Sequence, residues 1–176
     1  KNTIINEASI DSRKIQKNNI FFGIKGKNFD GNKFVNQAFK NGASISINEN
    51  KKKNKLKNDI NVKNSLKTFS EIAKLVRASS NISSIAITGS SGKTSLKEML
   101  GQMMSKICQI SYSKKSFNNK YGVPISLFNI NYKDKIGIFE VGMDKKGEID
   151  FLTKIIMPNV GVITNISYAH IKNFKN

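Results

Sequence analysis

The feature that most constrains this chain is an apolar segment that runs into a loop of small residues ending in Gly-Lys-Thr. The apolar segment is Ile85–Thr88, and the loop begins directly after it. Small residues let successive backbone N–H groups turn toward an anion, and the positive end of a following helix and a lysine add charge. The sequence therefore predicts a strand, a phosphate-binding loop and a helix. The predicted phosphate-binding residues are Gly89, Ser90, Ser91, Gly92, Lys93, Thr94 and Ser95.

The loop departs from the common P-loop pattern at one position. In the pattern G-x-x-x-x-G-K-[ST] the first glycine would stand at Ile87, so the loop has the shorter form T-G-x-x-G-K-T. An ordinary GTPase or helicase is therefore less expected. The alternative is a Gly/Ser turn with a chance Gly-Lys-Thr, but the strand, loop and helix signals follow one another in the required order.

The pattern of elements predicts an α/β chain. From Ile82 onward, short apolar strands alternate with helical segments, which favours a P-loop-type, doubly wound, mainly parallel sheet with ligands at the carboxyl ends of its strands. Before it, a helical pattern ends near Ser79–Asn81, where a domain boundary fits. We predict a small N-terminal α/β substrate domain in 1–81 and an ATP-binding domain in 82–176, the second of them incomplete.

Composition excludes some classes of protein. The net charge is +18, but the lysines are scattered, accompany asparagine and are not interleaved with aromatics on one segment. We interpret the lysines mainly as residues on solvated surfaces and expect no nucleic-acid partner. The alternative is a basic nucleic-acid-binding module that uses the run Lys51–Lys57.

No apolar run approaches the roughly 20 residues of a membrane span, and the start does not resemble a signal peptide, so we expect a cytoplasmic protein without membrane insertion. The single cysteine, Cys108, lies in an apolar run that predicts a buried, inert thiol.

Polar residues follow two further predicted strands. Glu140 comes directly after the apolar run Ile136–Phe139 and is a candidate second Mg²⁺ ligand beside Thr94; capping the strand or pairing with a lysine is the alternative. His170, the only histidine, lies beyond the strand around Val162 and reaches the same edge of the sheet if the strands are parallel. A structural histidine is the alternative there.

Two other segments carry weaker signals. Asn118 and Asn119 offer amide donors and acceptors at the same edge, although this segment by itself favours a plain turn before a helix. In the first domain, Ser12 and Arg13 place a hydroxyl beside a guanidinium, which suits recognition of a carboxylate or phosphate.

Taken together, these segments resemble the Mur ligases of peptidoglycan synthesis, over essentially the whole chain. The order of the segments is also that of the family. The segments that carry the resemblance are Asp11–Arg13, Phe29–Gly31, Gly42–Ala43, Thr88–Thr94, Phe117–Asn119, Gly122–Pro124, Glu140–Gly142, Gly147–Ile149, Thr164–Ile166 and Ala169–His170.

The resemblance implies an ATP-dependent ligase that forms amide bonds. In the branch of the family that this chain resembles most, ATP phosphorylates the terminal carboxylate of UDP-N-acetylmuramoyl-tripeptide, and the amine of D-alanyl-D-alanine attacks the acyl phosphate. By this resemblance Lys93, Glu140 and His170 would be catalytic, and Thr94, Glu140 and His170 would hold Mg²⁺. Asn118 and Asn119 would face the muramoyl peptide, and Ser12 and Arg13 would lie near the UDP group.

A complete member of the family has a longer central domain and a third domain. We therefore expect this chain to be a piece of a longer protein or a shortened form, to have little or no ligase turnover by itself, and to be monomeric. The alternatives are a MurE-type or folylpolyglutamate-type ligase, or a fragment that binds nucleotide without catalysis. Ser167-Tyr168 departs from the glycine and small or acidic residue more usual in the family.

Overall fold

The structure of the chain, a computed structural model, describes residues 5–50, 57–113 and 115–168. The chain divides into two compact units, Lys1–Glu71 and Ile72–Asn176. This division lies inside a helix, ten residues before the boundary expected at residue 81. The functional assignment of 1–81 and 82–176 stays a prediction.

The first unit is built on a sheet of four parallel strands. In chain order these are β1 (Ala8–Ser9), β2 (Asn19–Phe22), β3 (Ala43–Asn48) and β4 (Asp59–Asn61), and they lie side by side in the same order. The second strand is buried along its whole length, because it carries the apolar residues of the centre of the sheet. The two short strands β1 and β4 form the edges of the sheet.

Helix α1 (Val35–Lys40) covers part of this sheet. Val35 and Ala38 lie on one face of the helix and are buried against Phe21 of the neighbouring strand. The sequence predicts one helix over residues 30–39, with Gly42 as its C-terminal cap. That helix begins as a 3₁₀ turn, Gly31–Phe34, whose start is capped by Asp30. Gly42 follows the helix with φ +108°, a left-handed conformation that confirms the predicted glycine cap.

Helix α2 (Ser65–Ser79) ends where the sequence predicted. Phe69 and Ala73, four residues apart, are both fully buried and mark the apolar face of the helix. In the first unit the ring of Phe69 packs against Phe22 with 4.6 Å between ring centroids.

The second unit alternates strands and helices. In chain order its elements are β5 (Ser83–Thr88), α3 (Lys93–Met104), β6 (Ile110–Tyr112), α4 (Gly122–Phe128), β7 (Ile136–Glu140), α5 (Glu148–Ile156) and β8 (Val160–Ile163). All four strands are parallel and lie in the order β6-β7-β5-β8. The predicted α/β architecture with parallel sheets is confirmed. Because β7 and β8 flank β5, the segments that leave the ends of these three strands emerge at one edge of the sheet.

Two local expectations in this unit were wrong. The apolar residues from Ile107 predict a strand over residues 107–111, but β6 begins at Ile110. The backbone N–H groups of Ile107 and Cys108 instead bond back to the carbonyl of Met104 and continue the turn after α3. Ile107 is consequently 83% exposed. Cys108 is free and only partly buried, so the expected burial of its thiol is also wrong.

Among the described residues, none of the helices is both long enough and apolar enough to cross a bilayer.

Candidate functional site

The loop between β5 and α3 has the backbone of an anion-binding turn. Gly89 and Gly92 have φ values of +133° and +77°, which side chains with a Cβ rarely adopt. Gly92 is the N-cap of α3, and Leu96 makes a helical bond back to it, from its N–H to the Gly92 carbonyl over 2.9 Å. The earlier N–H groups of the first turn therefore have no carbonyl one turn before them and present the positive end of the helix dipole.

Lys93 stands at the first position of this helix. It is partly buried, and its ammonium group donates a hydrogen bond to the carbonyl of Gly89. The Lys93 side chain therefore folds back across the loop that precedes α3. Its positive charge lies at the same end of α3 as the N–H groups of the first turn.

Thr94 contacts the end of a neighbouring strand. Its hydroxyl donates a hydrogen bond to Oε2 of Glu140 over 2.8 Å, and Glu140 is only 1% exposed. The Ser116 hydroxyl lies 3.5 Å from the Thr94 hydroxyl. The structure therefore brings together the threonine and the carboxylate that sequence predicted as partners.

The two predicted asparagines have different contacts. Asn118 donates from Nδ2 to Oε1 of Glu140 over 2.8 Å, and its carbonyl accepts from the N–H of Gly142 over 2.7 Å. Asn119 accepts from the N–H groups of Tyr121 and Gly122, both over 3.0 Å, at the start of α4. Asn118 belongs to the Glu140 cluster, whereas the oxygen of Asn119 is used to order the start of a helix.

The Thr94 and Glu140 oxygens are suitable ligands for Mg²⁺. Magnesium takes hydroxyl and carboxylate oxygens, and in nucleotide sites it uses one or two protein ligands together with phosphate and water. Glu140 Oε1 is engaged by Asn118, and Oε2 faces the Thr94 hydroxyl. Within the described residues, no group of three or more His, Cys, Asp or Glu side chains could form a metal site built from protein alone.

A buried lysine supports the segment that carries Asn118. Lys97, one turn after Lys93, is completely buried, and its ammonium group donates to the carbonyls of Ser113, over 2.7 Å, and Lys115. It also lies 3.1 Å from the carboxylate of Glu98. Sequence analysis missed this residue, although its spacing of four from both Lys93 and the buried Gly101 placed it on the inner face of α3.

The segment after β8 contacts the other end of the phosphate loop. Asn165 accepts from the N–H of Ser90 with its backbone carbonyl and from the N–H of Ser91 with Oδ1, both over 3.0 Å. Its Nδ2 donates to the Ser91 hydroxyl over 2.7 Å. Nothing in the composition of the chain singled out Asn165 as a partner of the loop, because the contact joins residues 74 positions apart.

Ser12 and Arg13 lie in the first unit. Ser12 is buried, and its carbonyl accepts from Asn41, whereas the Arg13 side chain is 80% exposed and makes two 2.9 Å hydrogen bonds to Asp11. These hydrogen bonds lower the pKa of Asp11 below its ordinary value and raise the pKa of Arg13.

His170 and most of the basic run Lys51–Lys57 lie outside the described residues.

Comparison with known proteins identifies the family. Residues 4–107 match the Mur ligase family catalytic domain, and residues 87–176 match the Mur ligase middle domain.

The chain belongs to the Mur ligase family.

One relative is a UDP-N-acetylmuramoyl-tripeptide–D-alanyl-D-alanine ligase from Buchnera aphidicola, which is 37% identical over 98% of this chain and 38% of its own length. A crystal structure of MurF from Acinetobacter baumannii superimposes with a TM-score of 0.89 at 32% identity, over 97% of this chain and 38% of that one. MurF from Thermotoga maritima, solved in complex with ADP, gives a TM-score of 0.84 at 29% identity, over 97% of this chain and 40% of its own. The chain thus spans about two fifths of the length of the Mur ligases that it matches.

Proposed function

We propose that this chain carries the UDP-substrate-binding part, residues 1–81, and the ATP-binding part, residues 82–176, of a MurF-type ligase. The proposed reaction joins D-alanyl-D-alanine to UDP-N-acetylmuramoyl-tripeptide. ATP transfers its terminal phosphoryl group to the tripeptide carboxylate, which forms an acyl phosphate and ADP. The amine of the dipeptide then attacks the acyl carbon, and phosphate leaves as the amide bond forms.

The observation that carries this proposal is the cluster around Glu140. One buried carboxylate accepts hydrogen bonds from Thr94 of the phosphate loop and from Asn118 of the segment before α4. The same chain has 37% identity to a protein named for this reaction. The MurE-type and folylpolyglutamate-type alternatives are not favoured, since these relatives are named as MurF or as UDP-N-acetylmuramoyl-tripeptide–D-alanyl-D-alanine ligase.

The residues of the loop suit phosphoryl transfer. This reaction depends on positioning and charge neutralisation rather than on covalent help from the protein. In the proposed site the N–H groups at the start of α3 and the ammonium of Lys93 bind the phosphates. Thr94 and Glu140 would hold Mg²⁺, which would supply further positive charge to the phosphate oxygens when bound.

The substrate assignments follow from the same proposal. Ser12 and Arg13 are assigned to the UDP side and Asn118 and Asn119 to the muramoyl-peptide side. His170 is assigned to a second Mg²⁺ near the substrate carboxylate. The Asn118–Glu140 contact supports a role for Asn118 beside the metal as well.

We further propose that the protein works as a monomer in the cytoplasm, without inserting into a membrane and without binding nucleic acid.

Release of phosphate tests the reaction. The product of the complete gene, incubated with Mg·ATP, UDP-N-acetylmuramoyl-tripeptide and D-alanyl-D-alanine, should release phosphate and form the pentapeptide product. Phosphate release that requires a diamino acid and the shorter UDP-muramoyl dipeptide would contradict the MurF assignment and support a MurE-type ligase.

A titration with duplex DNA provides the separate test for nucleic-acid binding. Tight and steeply salt-dependent binding would contradict the proposal that the protein binds no nucleic acid.

A further inference from the structure

The segment Thr164–Ser167, which follows β8, forms hydrogen bonds with Ser90 and Ser91 in the first half of the phosphate loop, Gly89–Thr94. The Thr164 hydroxyl donates to the carbonyl of Ser91 over 2.6 Å, and the N–H of Ser167 donates to the Ser90 hydroxyl over 2.8 Å. Asn165 lies between them and binds both serines. Two N–H groups, of Ser90 and Ser91, donate to Asn165, and Asn165 donates to the Ser91 hydroxyl; we call these three hydrogen bonds the Asn165 clamp.

The clamp uses donors that a phosphate would otherwise attract. The N–H groups of Ser90 and Ser91 each point to an oxygen of Asn165 at 3.0 Å. A backbone N–H has one hydrogen to donate, so an N–H that already makes such a bond is a poor donor to a bound anion. The donors that remain for phosphate are then the N–H groups at the start of α3 and the Lys93 ammonium. This changes the role of Ser90 and Ser91, which the sequence placed among the phosphate-binding residues.

A loop built from glycine and serine is costly to order. Fixing one backbone residue costs about 1–2 kcal/mol of conformational entropy, and a ligand that must order its own binding loop loses that amount of affinity. The partners that fix Ser90 and Ser91 belong to residue 165 of the same chain. The cost is then met during folding rather than during binding.

We propose that Asn165 is a positioning residue that preforms the phosphate loop. It acts through Ser90 and Ser91 and does not contact the nucleotide itself. The inference rests on the proposed nucleotide binding of this chain. The competing arrangement is one in which the Ser91 hydroxyl binds a phosphate oxygen directly and Asn165 matters only for stability.

A double-mutant cycle separates these arrangements. Affinity for Mg·ADP is measured by calorimetry for the wild-type chain, Asn165→Ala, Ser91→Ala and the double variant. We expect Asn165→Ala to weaken binding about tenfold and Ser91→Ala to weaken it less, since only one of the clamp bonds uses the hydroxyl. The double variant should bind no more weakly than Asn165→Ala alone. Additive losses, or an Asn165→Ala variant that binds like the wild type, would overturn the proposal.

Amide exchange of the loop, measured by NMR without nucleotide, tests the clamp itself. Asn165→Ala should speed exchange at Ser91, whose N–H loses its side-chain acceptor, whereas the N–H of Ser90 keeps the backbone carbonyl of residue 165 and serves as an internal reference. The urea midpoint of the chain should stay unchanged, because Asn165 is exposed. Asn131→Ala, in an exposed turn before β7, is the matched control and should change neither exchange nor affinity. The same exchange rate at Ser91 in all three proteins would overturn the clamp.

The two measurements also separate failure of the inference from failure of the proposed function. A wild-type chain that does not bind Mg·ADP overturns nucleotide binding and, with it, the role of Asn165 in affinity. In that case accelerated exchange at Ser91 in Asn165→Ala still establishes that the clamp orders the loop. Binding by the wild type together with unaltered binding by Asn165→Ala leaves the proposed function intact and removes only the inference.

Discussion

The Thr94 hydroxyl donates a 2.8 Å hydrogen bond to Glu140, a residue 46 positions further along the chain. This bond joins the first turn of α3 to the carboxyl end of β7. Asn118 completes the cluster from a third segment by donating to the other oxygen of the same carboxylate. A single buried acid therefore organises three separate parts of the proposed nucleotide site.

Lys93→Ala should abolish measurable Mg·ADP binding and leave the fold intact. The ammonium contacts only the Gly89 carbonyl among the described contacts, so its loss should change the free energy of unfolding by no more than about 0.5 kcal/mol. Calorimetry gives the affinity and urea unfolding the stability. Lys133→Ala, at an exposed lysine in the turn before β7, is the control with the same change in charge. Unchanged affinity in the Lys93 variant would refute its role at the phosphates.

Glu140→Gln should separate the charge of this residue from its hydrogen bonds. We expect the glutamine to keep most of the stability but to remove the dependence of ADP affinity on Mg²⁺, because the metal prefers a carboxylate oxygen. Glu140→Ala should lower the free energy of unfolding by about 1–3 kcal/mol, since Thr94 and Asn118 lose their acceptor in a buried place. Titrations with and without Mg²⁺ provide the test. An unchanged Mg²⁺ effect in the glutamine variant would exclude Glu140 as a ligand.

Gly89→Ala should destabilise the second unit. A Cβ at this position would lie 2.1 Å from the Thr164 hydroxyl oxygen, and the φ of +133° is already unfavourable for alanine. We expect a loss of about 1–3 kcal/mol in urea unfolding. Gly161→Ala is the matched control, because a Cβ there meets nothing within 4 Å. Equal effects of the two substitutions would mean that the loop moves away from Thr164 at little cost.

Lys97→Met should show how much the buried ammonium contributes. Methionine fills a similar volume but leaves the carbonyls of Ser113 and Lys115 without their donor, so a loss of about 1–3 kcal/mol is expected. Lys154→Met removes an exposed lysine that pairs with Asp150, and it should cost less than about 1 kcal/mol. Urea unfolding compares the two. A neutral Lys97→Met would mean that apolar packing replaces the buried cation without loss.

The carboxyl group of Asp11 should titrate below its ordinary pKa in the wild type and closer to it in Arg13→Ala. The hydrogen bond from Arg13 is the main cause of the lowered pKa. Because the pKa is lower in the folded chain than in the unfolded one, the stabilisation is present above the unfolded value and is lost as pH falls through the folded value. The effect on stability should be small, since Arg13 is exposed. Titration by carbon-detected NMR measures it, and an identical pKa in both proteins would contradict the pairing.

Local patterns predicted most of the fold. The strand β5, the loop and α3 were recognisable because the apolar run, the small residues and the helix start are adjacent in sequence. Glu140 was predicted as the partner of Thr94 because parallel strands end at one edge of a sheet. The strand near Ile107 was placed three residues too early, since apolar residues that continue a helical turn look like the start of a strand.

The contacts of individual polar side chains were not predictable in the same way. Lys97 carries a charge and occurs in a chain rich in lysine, so composition assigned it to the surface, whereas two carbonyls hold it in the interior. Asn165 and Ser91 lie far apart in sequence, and the bond between them depends on the pairing of β5 with β8. Such contacts depend on tertiary structure, which local patterns do not record.

The strand order β6-β7-β5-β8 has a consequence for how the protein folds. The contacts of the loop reach 46 residues forward to Glu140 and 74 residues forward to Asn165, and both depend on parallel pairing between strands that are not neighbours in sequence. Closing such large loops costs entropy before any contact repays it, which slows folding. The phosphate loop should therefore reach its final shape only in the last stages of refolding. Recovery of nucleotide binding would then report completion of the whole sheet, later than signals that follow helix formation alone.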